Sequence, residues 1–227
     1  MKYYVVSPSG RTGSRRLSTL LHRHFNDKKE ASVCYDTFTV NGEPPNMENP
    51  IRFMVSHFEK NNSTDYHEDL LPVAEVAEIL KNAEDGTSVH SHTTVPLLDR
   101  ENWVVIFSER KSKAEQIMSK LVGGYLRSND PLEADKNFEP FSVSKEEVED
   151  IIFALDWQKK LCEEAYPDHI KIFLEDSLET IEEKLMLKFD RNERTETANN
   201  KFISNHRYKD LIINYKEVFE WCGESYE

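Results

Sequence analysis

Two stretches of this chain carry residue types able to grip an anion, and a third carries a pair of histidines. The first is Ser9-Gly10-Arg11-Thr12-Gly13-Ser14-Arg15-Arg16, which follows the apolar run Tyr3 to Ser7 and precedes Leu17, Leu20, Leu21 and Phe25 at helical spacing. A turn between a strand and a helix faces unpaired backbone N–H groups and the positive end of the helix dipole. Glycines let the backbone curl around tetrahedral oxygens, Thr12 and Ser14 offer hydroxyl donors, and Arg11 or Arg15 supplies countercharge. The bland alternative is a surface turn with solvated arginines. A Walker loop is absent, because neither its glycine spacing nor its Gly-Lys step occurs here.

The second stretch, Val104 to Arg110, reads as a buried strand running into a helix that carries Lys111, Lys113, Gln116 and Ser119. Basic residues at a helix start oppose its dipole, which predicts an anion there. The third is Val89-His90-Ser91-His92-Thr93, at a predicted strand end. A histidine titrates near neutrality and suits a general base, which makes His92 the candidate. The rivals are a two-ligand metal half-site with no evident third ligand and a hydrogen-bonded structural histidine. Glu43, in a Gly- and Pro-rich loop, is the competing base or a solvated acid.

These stretches need a scaffold, and the periodicity supplies one. Strands are predicted at Tyr3 to Ser7, Ala31 to Tyr35, Thr87 to His90, Trp103 to Phe107 and Ile170 to Leu174. Helices are predicted after Gly13, from about Leu70 to Lys81, after Lys111 as far as Gly123-Gly124, from Lys145 to Ala165, from Leu178 to Asp190 and from Tyr208 to Trp221. The segment from Glu48 to Asn62 has no clear periodicity. Asp176 or Ser177 is placed to cap the helix at Leu178. Strands alternating with helices predict an α/β fold, a parallel sheet flanked by helices, with sites at the carboxyl ends of the strands.

At 227 residues and 38% hydrophobic content the chain fits one domain, 1–227, with a core of its own. Its net charge of −13 argues against a nucleic-acid coat. The positive charge is concentrated in Arg11, Arg15, Arg16 and Arg23 and around Arg110, while much of the acid lies between Glu133 and Glu196, a pattern that suits a small polyanion. No apolar run is long enough for a bilayer, and the first residues do not read as a signal peptide. Three widely spaced cysteines form no metal or disulfide pattern. The expectation is a cytoplasmic protein that needs no metal and engages neither membrane nor nucleic acid; self-association is left open.

Gly10-Arg11-Thr12-Gly13-Ser14-Arg15-Arg16-Leu17 resembles the 5′-phosphosulfate loop of sulfotransferases, Arg-Ser-Gly-Ser/Thr-Thr-x-Leu, with Thr12 for the serine and Arg15 for the last hydroxyl residue. Ser108 to Ser119 is similar to the corresponding strand and helix of bacterial carbohydrate sulfotransferases, in which Gln116 and Ser119 match a Gln-Ala-x-Ser element. His90-Ser91-His92 resembles the Lys-Thr-His segment of cytosolic members, and Glu175-Asp176-Ser177-Leu178 their Tyr-Glu-Asp-Leu segment. The resemblance implies a P-loop-type sulfotransferase-like fold and the donor 3′-phosphoadenosine 5′-phosphosulfate (PAPS). Ser9 to Arg16 would hold the 5′ end, and Arg110 and Ser119 the 3′-phosphate. His92 or Glu43 would be the base, Arg11 would stabilise the transferring group, and a small-molecule or carbohydrate would be the acceptor. Arg207 and Lys209 are the nearest counterparts of the family's closing loop. A P-loop kinase and a binding module that has lost its chemistry are the alternatives.

Overall fold

The computed structural model describes residues 1–7, 10–26, 29, 31–38, 50–59, 62–128, 139–190 and 208–226. They form two compact units, Met1–Glu109 with Gln158–Thr197 and Arg110–Trp157 with Ala198–Glu227.

The first unit is built on a seven-stranded sheet: β1 (Lys2–Val6), β2 (Ala31–Phe38), β3 (Pro50–Glu59), β4 (Asn62–Pro72), β5 (Ser88–Ser91), β6 (Trp103–Glu109) and β7 (Ile170–Phe173), in the order β4-β3-β2-β5-β1-β6-β7. β2, β5, β1, β6 and β7 are parallel, and β3 and β4 extend the β2 edge antiparallel. All five residues of β1 are buried, as a central parallel strand covered on both faces requires. Its alternation divides the core. Tyr3 and Val5 meet Leu17, Leu20 and Leu21 of α1 (Ser14–Asn26) and Leu185 of α5 (Leu178–Leu185). Tyr4 and Val6 meet Val76 and Leu80 of α2 (Val73–Lys81) and Tyr166.

The second unit contains α3 (Lys113–Ser128), the first part of α4 (Lys145–Ala165), α6 (Tyr208–Leu211) and α7 (Tyr215–Trp221). Ile117, Met118, Val148, Ile212 and Val218 form its core. A reciprocal capping box starts α4: Glu147 N donates to Ser144 Oγ at 3.2 Å, and Ser144 N donates to Glu147 Oε2 at 2.8 Å.

The mostly parallel α/β sheet flanked by helices matches the sequence expectation, and Ser177 caps α5 by accepting from Thr180 N at 3.2 Å. Several boundaries are corrected. Pro72 stands before α2 rather than within it, and the residues leading to it belong to the β3–β4 hairpin. The hairpin was hidden because β4, at the sheet edge, is polar from Asn62 to Asp69 apart from Tyr66, and shows no apolar alternation there. α3 continues through Gly123 and Gly124 to Ser128. Neither glycine takes the left-handed conformation that stops a helix, and Val122 is buried beside them. α5 ends at Leu185, where Met186 turns left-handed, and the last expected helix is split between α6 and α7.

Leu21 is fully buried against β1. Leu21→Ala is expected to lower the unfolding free energy by about 2–5 kcal/mol in urea titrations, the range for a large core truncation.

Candidate functional site

β1 lies at the centre of the parallel strands, and the chain reverses its direction of travel across the sheet there: β2 and β5 lie on one side, β6 and β7 on the other. The carboxyl end of β1 is therefore the switch point, where α/β sheets open a crevice. The turn that leaves it contains three left-handed residues, Gly10 (φ 74°), Arg11 (φ 63°) and Gly13 (φ 76°). A non-glycine residue in that region costs of order 1 kcal/mol, so the strain at Arg11 is held by its surroundings.

Those surroundings are mostly the chain's own polar groups. Ser7 Oγ and Thr12 Oγ1 lie 2.6 Å apart, Ser108 Oγ donates to the Thr12 carbonyl at 2.8 Å, and Gly10 N donates to Ser7 O at 3.1 Å. Thr12 and Ser14 are buried, so the two hydroxyls expected to reach outward to an anion are turned into the protein. The glycines also permit close packing: a Cβ on Gly10 would lie 2.7 Å from His92 Cε1, and one on Gly13 2.3 Å from Leu174 Cδ1. The first N–H groups of α1 have no acceptor inside the helix. Arg15 and Arg16 are exposed on its first turn, and Arg11 is half-buried. A cleft of about 60 Å³ beside the turn is lined by Gly13, Arg16, Ser108, Phe173 and Asp176 among others.

Beneath the turn runs a chain of three side chains from three elements. Ser14 Oγ lies 2.8 Å from His90 Nε2, and His90 Nδ1 lies 2.7 Å from Asp36 Oδ1. Burial works to raise the Asp36 carboxyl, but the hydrogen bond and charge of His90, helped by Arg15 at 3.7 Å, hold it below the ordinary carboxylate value. An ionised carboxylate only accepts, so Nδ1 of His90 carries a proton.

His92, the expected base, packs against Gly10 and donates from Nδ1 to the Ser7 carbonyl at 3.3 Å. Burial first, and then the neighbouring His90, push its pKa down to about 3. The ring is thereby neutral and a weak proton acceptor at physiological pH. Ser9 and Glu43 lie outside the described residues, as does Arg207.

Arg110 and Ser119 belong to the second unit. Arg110 is buried and donates from Nη1 to the Glu115 carbonyl at 3.0 Å, and Ser119 is half-buried on α3. The anion expected at the start of this helix is part of the chain. Glu224 accepts from Lys113 N at 2.7 Å, from Ala114 N at 3.4 Å and from Ser112 Oγ at 2.6 Å. Lys209 on α6 lies 5.1 Å from the Tyr226 ring centroid.

Asp36 and Glu224 were not foreseen. The second strand was expected to end at Tyr35, whereas it runs to Phe38 and carries Asp36 in register with His90. Nothing in the local sequence marks Glu224 as a helix cap. Among the described residues no group of three or more His, Cys, Asp or Glu side chains is placed to hold a metal ion, and no helix is long and apolar enough to cross a membrane. Comparison of the chain with protein-family profiles, curated proteins and solved structures found no match.

Gly13→Ala is expected to cost about 1–3 kcal/mol, through left-handed strain and the collision with Leu174, read as a lowered midpoint in denaturant. A pH effect follows from the buried imidazoles. His92 is lowered from 6.5 to about 3 and His22 to about 4. Below about pH 6.5 the unfolded chain binds protons that the folded chain refuses, so stability is full above that pH and falls as the pH drops toward 3. Urea midpoints at stepped pH should show this loss, and His92→Gln should make it shallower.

Proposed function

We propose that this chain is a PAPS-dependent sulfotransferase that moves a sulfuryl group to a hydroxyl or amine of a small-molecule or carbohydrate acceptor. The observation that carries the reading is the position of the Gly10–Arg16 turn. It leaves the central strand at the switch point of the sheet, with a left-handed backbone at Gly10, Arg11 and Gly13, and runs straight into the first turn of α1. Backbone N–H groups at such a helix start, beside the arginines at 11, 15 and 16, favour a doubly charged phosphosulfate group. The resemblance of Gly10 to Leu17 to the 5′-phosphosulfate loop selects this anion over a simple phosphate.

The donor's contribution would be an activated sulfuryl group with a phosphate leaving group. The chain's own contribution is positioning and charge. Loop N–H groups and Arg11 would neutralise the 5′ end, while Thr12, locked to Ser7 and Ser108, keeps the turn in shape before any ligand arrives. That preformed geometry lowers the ordering cost of binding. His92 and Glu43 remain the candidates to take the acceptor proton, and the low basicity of His92 weighs toward Glu43.

Adenosine 3′,5′-bisphosphate without magnesium is expected to raise the melting temperature, by several degrees when the ligand is present at about 100 times its Kd. Arg11→Ala is expected to weaken binding about tenfold, in line with loss of a charge-assisted contact. Transfer of radiolabelled sulfate from PAPS across a panel of hydroxyl and amine acceptors tests the chemistry. Magnesium-dependent stabilisation by ATP in place of the bisphosphate would point to a kinase, and bisphosphate binding without transfer to a binding module.

A further inference from the structure

β4 stands at one end of the sheet and, among the described residues, pairs with a single strand, β3. A strand in that place presents a row of outward N–H and C=O groups, which folded proteins cover, shorten or interrupt. β4 is instead 11 residues long, and every residue from Tyr66 to Leu70 is exposed, so neither face of this stretch is covered. We propose that two copies of the chain associate through β4, antiparallel about a two-fold axis at Glu68, so that one sheet runs through both.

Two features of the strand mark that centre. In the β3–β4 ladder Asp65 stands opposite His57 but Ser63 opposite Phe58, which makes Thr64 an extra, bulged residue. At the other end Pro72 has no N–H to give. The regular stretch between them, residues 65–71, has Glu68 at its middle.

An antiparallel pair about such an axis matches positions symmetric around it and keeps each side chain on its own face of the sheet. Tyr66 then meets Leu70 of the second copy, and Leu70 meets its Tyr66. Both are large apolar side chains left exposed in the single copy, at 64% and 60%. On the opposite face His67 meets Asp69 of the second copy, and Asp69 meets its His67. Within one chain these two already lie 2.6 Å apart, so the dimer assembles four alternating imidazoles and carboxylates in place of two. Glu68 meets its own counterpart at the axis, a like-charge contact that Arg52 of β3, 3.5 Å from each Glu68 within its own chain, offsets. Moving the axis one residue to His67 sets Asp69 against Asp65 and His67 against itself, and separates Tyr66 from Leu70. The strand is thus complementary to its own sequence, which selects a second copy over an extended segment of another protein.

Sedimentation equilibrium of the full chain from about 1 to about 200 µM, the range in which a small edge interface associates, tests this. A monomer–dimer equilibrium is expected. Tyr66→Lys combined with Leu70→Lys, at positions exposed in the single copy, should leave the far-UV spectrum unchanged and the chain monomeric over the whole range. His67→Asp sets carboxylate against carboxylate twice by symmetry and should weaken the dimer about tenfold, and adding Asp69→His to it should restore the original Kd. This exchange serves alone if the double lysine variant does not fold. A chain that stays monomeric at every concentration overturns the proposal and leaves the edge to a segment of another protein. A dimer that the double lysine variant leaves intact overturns it too, since the contact then lies elsewhere. A dimer lost in that variant but indifferent to His67→Asp overturns the register at Glu68.

Discussion

The turn after β1 holds its shape because buried polar groups pair with one another instead of with water. A left-handed stretch of three residues in four, one of them an arginine, is not stable by itself. Ser7, Thr12 and Ser108 tie its backbone to the ends of β1 and β6, and Ser14 ties the start of α1 through His90 to Asp36. A lost hydrogen bond in such a place leaves an orphaned polar atom out of reach of solvent, at about 1–3 kcal/mol. The turn is therefore set by the carboxyl ends of four strands, β1, β2, β5 and β6, acting together.

This arrangement divides the labour within the turn. The Thr12 and Ser14 hydroxyls are buried and fix the geometry, while Arg15 and Arg16 are exposed and Arg11 and Gly13 are half-buried. The two histidines of the β5 end have different partners. His90 lies between the Asp36 carboxylate and the Ser14 hydroxyl, whereas burial against Gly10 and the Ser7 carbonyl holds His92 neutral.

The second unit solves a comparable problem differently. The basic residues at the start of α3 conflict with its dipole, and Glu224, more than a hundred positions along the chain, brings a carboxylate to Lys113 N, Ala114 N and Ser112 Oγ. The conflict visible in the sequence was real. Its resolution is internal, so the basic helix start by itself does not require an external ligand.

The sequence alone determined the class of fold, because a buried parallel strand must be apolar on both faces and an amphipathic helix must repeat at about 3.6 residues; β1, α1, β6 and α4 were all legible on those grounds. It also marked the turn after β1, since Gly10 and Gly13 bracket a cluster of arginines where a strand meets a helix. It did not reveal the β3–β4 hairpin, whose edge strand buries too little to leave a pattern. It did not show that the Thr12 and Ser14 hydroxyls point inward, nor that Asp36 belongs to the site. Those outcomes were decided by the tertiary structure. Which hydroxyl finds which acceptor, and which histidine faces a carboxylate, depends on the register of strands far apart in the chain, and short-range composition carries no record of that register.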